Sequence, residues 1–194
     1  MNSALGDARM PPGEPNLLET AKAGLLIASS WVALGCYAAS LTTLALERCP
    51  SPLPRRLWSL GCLSYVAHMI LAFEVAYDWS HANAVADIAV QSESISGVRA
   101  SWGIWINYAY GLVWLADLGI WWRLGEIGYR NRPRWTHWAV HGFFLFMLFN
   151  GGFIFVERWT RWIGLSLFSV SLWAACQVAK RPKPWTLPPQ KSSS

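Results

Sequence analysis

Charged residues are scarce in this 194-residue chain: Asp, Glu, Lys and Arg together make up 14%, against about 25% in ordinary soluble domains. So little charge argues against a water-soluble surface, and the 54% hydrophobic content agrees. Catalytic signatures are missing too. There is no GxSxG, no Walker A, no GxGxxG in a strand–helix setting, no HExxH and no paired ExxH. Asn150-Gly151-Gly152 lies in an apolar run and is no phosphate loop. Cys36, Cys49, Cys62 and Cys176 form no CxxC pair, which argues against a disulfide framework and reads them as small core residues. No internal repeat suggests an inverted-repeat transporter. The first twenty residues are polar, unlike a cleavable signal.

What is present is a series of long apolar runs, at about 21–46, 57–77, 102–122, 135–156 and 161–179. Each is near the ~20 residues that cross a bilayer as a helix. None alternates with the period of two that a membrane barrel requires, and lipid leaves helices as the other solution. The expected fold is an all-α integral membrane protein, a bundle of five transmembrane helices over 21–179. The polar stretches 1–20 and 180–194 read as flexible tails.

Basic residues orient the bundle. Loop one carries Arg48, Arg55 and Arg56, loop three carries Arg123, Arg130, Arg132 and Arg134, and the last stretch carries Lys180, Arg181, Lys183 and Lys191. The other side holds only Arg9, Lys22, Arg99, Arg158 and Arg161. Cytoplasmic loops retain Lys and Arg, so the expectation is N-terminus out and C-terminus in. The net charge of +5 is then an inner-face cluster facing anionic lipid, and nucleic acid is not an expected partner. The expected partners are the lipid bilayer and other membrane subunits. Compact spans and minimal loops suggest a bacterial plasma (inner) membrane. Trp58, Trp79, Trp102, Trp121, Trp122, Trp135, Trp159 and Trp162 fall near span ends, where the amphipathic indole prefers the interface.

Loop two, 78–101, is the one long connection. It predicts a short surface helix with Ser80 as N-cap, ending near Gly97. The fourth loop, about "ERWT", is short enough to make spans four and five a helical hairpin.

Ionisable groups inside a span are costly and mark candidate sites. Here they are His68, Glu74, Asp117 and His141, with Asn107 and Asn150 as neutral partners. From the basic side, helical rise puts Asp117 and His141 at ~7–9 Å, His68 at ~16 Å, and Asn107, Asn150 and Glu74 at ~22–25 Å. Two polar layers follow: Asp117 with His141, and Glu74 satisfied by Asn107 or Asn150. Asn107, Tyr110, Trp114, Asp117 and Trp121 form one stripe, which should face the interior and make span three central. Gly111 and Gly119 lie on another face of that helix and offer close approach to a neighbour. His137 and His141 share a face of span four, with His137 read as interfacial.

Two cofactor sites can be drawn. If one helix continued through residues 74–81, Glu74, Asp78 and His81 would share a face and could ligate a divalent metal. His68 and His141, the two deep histidines, could be axial ligands of a haem. The leading expectation is a non-enzymatic membrane protein, a subunit or accessory component of a larger assembly. The alternatives are an intramembrane haem- or metal-binding redox protein and a proton-coupled carrier or channel with Asp117, His141, Glu74 and His68 as relay groups.

Overall fold

The computed structural model describes residues 17–156 and 159–181. Of the expected tails 1–20 and 180–194, residues 17–20 and Lys180 belong to helices, while residues 1–16 and 182–194, and Glu157 and Arg158 of the short fourth loop, lie outside the described residues. Everything regular within them is helical: α1 (Leu17–Leu46), α2 (Leu53–Val75), α3 (His81–Ser96), α4 (Gly103–Asn131), α5 (Arg134–Phe149) and α6 (Thr160–Lys180). A π-helical turn, Asn150–Ile154, extends α5.

Local chemistry sets the boundaries. Pro54 sits in the first turn of α2, where its missing N–H costs no helix bond. The Ser80 side chain accepts from the Asn83 amide and opens α3, and Gly97, at φ 73°, closes it, as expected from a Ser cap and a left-handed glycine stop. Pro133 precedes α5 and separates it from α4.

Five helices close a ring. α1 packs on α2, α2 on α4, α4 on α5, α5 on α6, and α6 returns to α1, while α3 lies outside against α4. The ring encloses an aromatic core centred on Phe144, whose ring lies 4.5 Å from Tyr110, 4.9 Å from Trp58, 5.0 Å from Trp114 and 5.3 Å from Tyr37. The expected stripe of α4 faces this core: Tyr110, Trp114, Asp117 and Trp121 are all buried. The belt reading fails for two tryptophans. Trp79, Trp102, Trp122, Trp135, Trp159 and Trp162 are exposed, but Trp58 and Trp121 are core residues. Their positions near helix ends point inward across the ring, not out to an interface.

Four helices are long and apolar enough to cross a membrane: Thr20–Leu46, Leu53–Val75, Arg134–Ile154 and Thr160–Lys180. α4, the expected third span, is not among them. It is long enough, but Trp, Tyr, Asn and Asp along its inward stripe lower its mean hydropathy. It holds its place in the ring through that stripe.

Close approach occurs at one of the two glycines expected to offer it. A Cβ added to Gly111 would meet the Tyr65 ring at 3.1 Å, but one on Gly119 would meet nothing within 4 Å. The tightest crossing is between α6 and the π turn, where a Cβ on Gly164 would stand 1.6 Å from the Gly152 carbonyl oxygen.

Candidate functional site

The polar residues of the bundle gather in two places, one at each end of the ring. At the end covered by α3, a cavity of about 400 Å³ opens between α2, α3, α4 and the π turn. His68, Asn107, Asn150, Gln91 and Ser92 give it hydrogen-bonding groups, and Ile106, Phe146 and Phe155 give it apolar walls. The His68 Nδ1–H donates to the Leu26 carbonyl at 3.0 Å. In the neutral ring this leaves Nε2 as the acceptor. The Asn150 side-chain amide donates to the Phe146 carbonyl at 2.7 Å, which also accepts from the Asn150 backbone N–H. Asn107 is held in register from α2, since the Tyr65 hydroxyl donates to its main-chain carbonyl at 2.8 Å.

The expected outer layer therefore forms with a change of member. Asn107 and Asn150 line the same cavity, but with His68 instead of Glu74. Glu74 is exposed, accepts from Trp79 Nε1 at 2.8 Å and pairs with Lys22 at 3.6 Å.

The metal face drawn through Glu74, Asp78 and His81 does not form. It required a continuous helix, but α2 stops at Val75, and Asp78 and Trp79 take φ values of 50° and 56°. His81 starts a new helix and its Nδ1 pairs with the Tyr108 hydroxyl at 3.0 Å. Among the described residues, no three His, Cys, Asp or Glu side chains gather as a metal group. The haem pair does not converge on one cavity either. His68 lines the cavity under α3, while His141 is enclosed by the rings of His137, Trp58 and Tyr37 at 4.4, 5.5 and 6.1 Å.

At the other end, Asp117 is the centre of a network that sequence reasoning missed. The network depends on Gly125, at φ 66° and ψ −176°, a conformation essentially confined to glycine. There α4 kinks, and residues 126–132 fold back along its last turns. Tyr129 stacks flat on Trp121, with ring centroids 3.8 Å apart, and its hydroxyl donates to Asp117 at 2.7 Å. Arg132 lies over the Tyr129 ring at 3.7 Å and pairs with the other Asp117 oxygen. Trp121 Nε1 donates to Glu126 at 3.0 Å, and Glu126 lies 3.1 Å from Arg55 on α2.

Asp117 thus takes Tyr129 and Arg132 as partners, and the expected meeting with His141 is replaced. Neither ring nitrogen of His141 has a hydrogen-bond partner among the described residues. His137 is buried and not interfacial, with Nε2 donating to the Ala175 carbonyl at 3.1 Å. Nearby, Arg130 pairs with Glu47 at 2.5 Å, and Arg181 donates to the Ala45 and Glu47 carbonyls that end α1. Burial and the charge of Arg130 pull the Arg181 guanidinium below its ordinary pKa, with Glu47 pulling the other way. One signal for this network was in the sequence: Gly125 followed by Glu126, Tyr129 and Arg132, an acid, an aromatic and a base just past a helix-breaking residue. Compared with known proteins, the chain matches no family model, no curated protein and no solved structure.

Proposed function

We propose that this chain is an integral membrane protein of five spans, α4 being the fifth crossing, with the N-terminus outside and the C-terminus inside a bacterial plasma membrane. Its role is that of a non-enzymatic subunit or accessory component that works with other membrane proteins. The observation that carries the role is the fixation of Asp117: the one buried carboxylate among the described residues is held by Tyr129 and Arg132. A relay group must exchange its proton, whereas a carboxylate with a charged and a neutral partner is a structural anchor. The closed ring supports α4 as a crossing, since its neighbours α2 and α5 both qualify by length and apolarity. Exposed Leu25, Leu63, Ile70 and Leu112 supply the outward apolar surface that lipid would cover.

Cys49 is a native topology probe, because it is exposed in the loop between α1 and α2. A membrane-impermeant maleimide should modify it only after cells are opened, while an S94C variant in α3 should react in intact cells. Labelling of Cys49 in intact cells overturns the orientation. Transport or turnover by the purified chain alone in proteoliposomes overturns the accessory role.

The cavity under α3 favours a second reading, a carrier or receptor for a small neutral polar solute. Its hydrogen-bonding groups, His68, Asn107, Asn150, Gln91 and Ser92, carry no carboxylate or ammonium. On this reading N107L abolishes uptake or binding of the solute without unfolding the chain; unchanged uptake removes it.

A further inference from the structure

The cavity under α3 has a one-sided chemistry. Six polar side chains line it: His68, Tyr77, Gln91, Ser92, Asn107 and Asn150. Three of them have one hydrogen to give, and each already gives it to the protein. The neutral His68 ring donates from Nδ1 to the Leu26 carbonyl at 3.0 Å. The Tyr77 hydroxyl donates to Asp87 at 3.1 Å, and the Ser92 hydroxyl donates to the Ile88 carbonyl at 2.8 Å. These three can still accept, at Nε2 and at the two hydroxyl oxygens, but can no longer donate. Gln91 and Asn150 each have one amide N–H engaged, on Asp87 and on the Phe146 carbonyl, both at 2.7 Å. Their other N–H and their carbonyl oxygens remain, so they can donate or accept, as can the Asn107 amide.

This inventory selects a class of ligand. A group that only accepts leaves His68, Tyr77 and Ser92 unpaired, and enclosed acceptors without partners are costly. An ammonium donates, but among the described residues no carboxylate lines the cavity, so its charge would lose water without gaining a counter-charge. A hydroxyl donates and accepts from one atom and suits all six side chains. Trp102, Phe146 and Phe155 add aromatic rings to the same cavity, and their electron-rich faces attract the C–H groups of a saturated ring. Its volume of about 400 Å³ falls in the range of small-molecule sites, about 300–1,000 Å³.

We infer that the cavity binds an uncharged, sugar-like polyol, free in solution or carried as the headgroup of a neutral glycolipid. This rests on the reading of the cavity as a solute site and adds the class that the site selects. Gln91 and Ser92 belong to α3, His68 to α2, Asn107 to α4 and Asn150 to the π turn. A bound polyol therefore ties α3, which packs chiefly on α4, to α2 and the π turn as well.

The test uses the full chain in phosphatidylcholine nanodiscs and reads amide hydrogen exchange in α3, with α6 as the internal reference. Polyols stabilise proteins in general by exclusion from their surface, so the signal is the saturable protection confined to α3. The probes are methyl β-glucoside, its tetra-O-methyl ether, which keeps the ring and loses every donor, and monoglucosyl diacylglycerol incorporated in the nanodisc. At about ten times its dissociation constant, the glucoside or the glycolipid should slow exchange in α3 about tenfold, and the ether should not. Protection by the free glucoside assigns a soluble source, and protection by the glycolipid alone assigns a membrane source. S92A and H68F each remove one acceptor and should weaken binding about fivefold, the loss of one neutral hydrogen bond, with exchange in α6 unchanged. Equal protection by the ether and the glucoside overturns the need for donors but leaves the cavity a solute site. Absence of saturable protection by both hydroxylated probes, or affinity untouched by S92A and H68F, overturns the inference, while binding of another solute that N107L abolishes would leave the solute reading standing.

Discussion

Asp117 and Arg132 show how a single buried residue depends on its company. With Arg132 removed, the carboxylate keeps only the Tyr129 hydroxyl, and breaking a buried pair by deleting one member costs about 3–5 kcal/mol. R132Q should therefore unfold at markedly lower denaturant in SDS titrations. D117N/R132Q should recover part of the loss, since no charge is left alone. Additive single and double variants would mean that the pair is not coupled. Residue types were legible in the sequence here, and partners were not. Asp117 was marked as buried and polar, but its choice of Tyr129 over His141 follows from a kink that only the Gly125 dihedrals disclose. Trp58 and Trp121 make the same point: a position near a helix end does not say whether an indole faces lipid or the ring.

Among the elements, α3 was the most legible, because its limits rest on local chemistry. Ser80 and Gly97 act on their own neighbours, and such caps work without tertiary help. The end of α2 was misjudged for the opposite reason. Nothing in "EVAYDWSH" forbids a helix, and the stop at Val75 comes with the Trp79 amide on the Phe73 carbonyl and its indole on Glu74. The α6 crossing yields a sharp expectation. G164A puts a methyl into the Gly152 carbonyl, so the π turn or α6 must shift, and the melting temperature should fall by several degrees. G119A meets open space and should be neutral or stabilising, by up to about 1 kcal/mol from better helix propensity. Equal effects would deny the tight crossing.

As a whole molecule, the chain was legible as a class and less so as a count. Apolar runs follow from composition, so the all-helical class and the four helices apolar enough to cross a membrane needed no structure. α4 escapes the hydropathy measure because its polar and aromatic stripe faces the ring interior. A closed ring also has a mechanical corollary. Separating the chain between α3 and α4 leaves three interfaces, α2–α4, α3–α4 and α1–α6, to rejoin the parts. Residues 1–99 and 100–194, expressed together, should co-purify with a folded-state melting transition, and each alone should be degraded. Separate survival of either part would mean that the ring is not one cooperative unit.

The fold-back at Gly125 bears on how such a chain is made. Both partners of Asp117 lie only 12 and 15 residues downstream of it. Neutralisation is therefore a local event, complete once residue 132 has left the ribosome and independent of any contact with α5 or α6. On the proposed five-span topology, the helix least suited to hydrocarbon is handed to the bilayer with its carboxylate already cancelled. Biosynthesis then never has to park a bare charge in lipid while waiting for the rest of the protein.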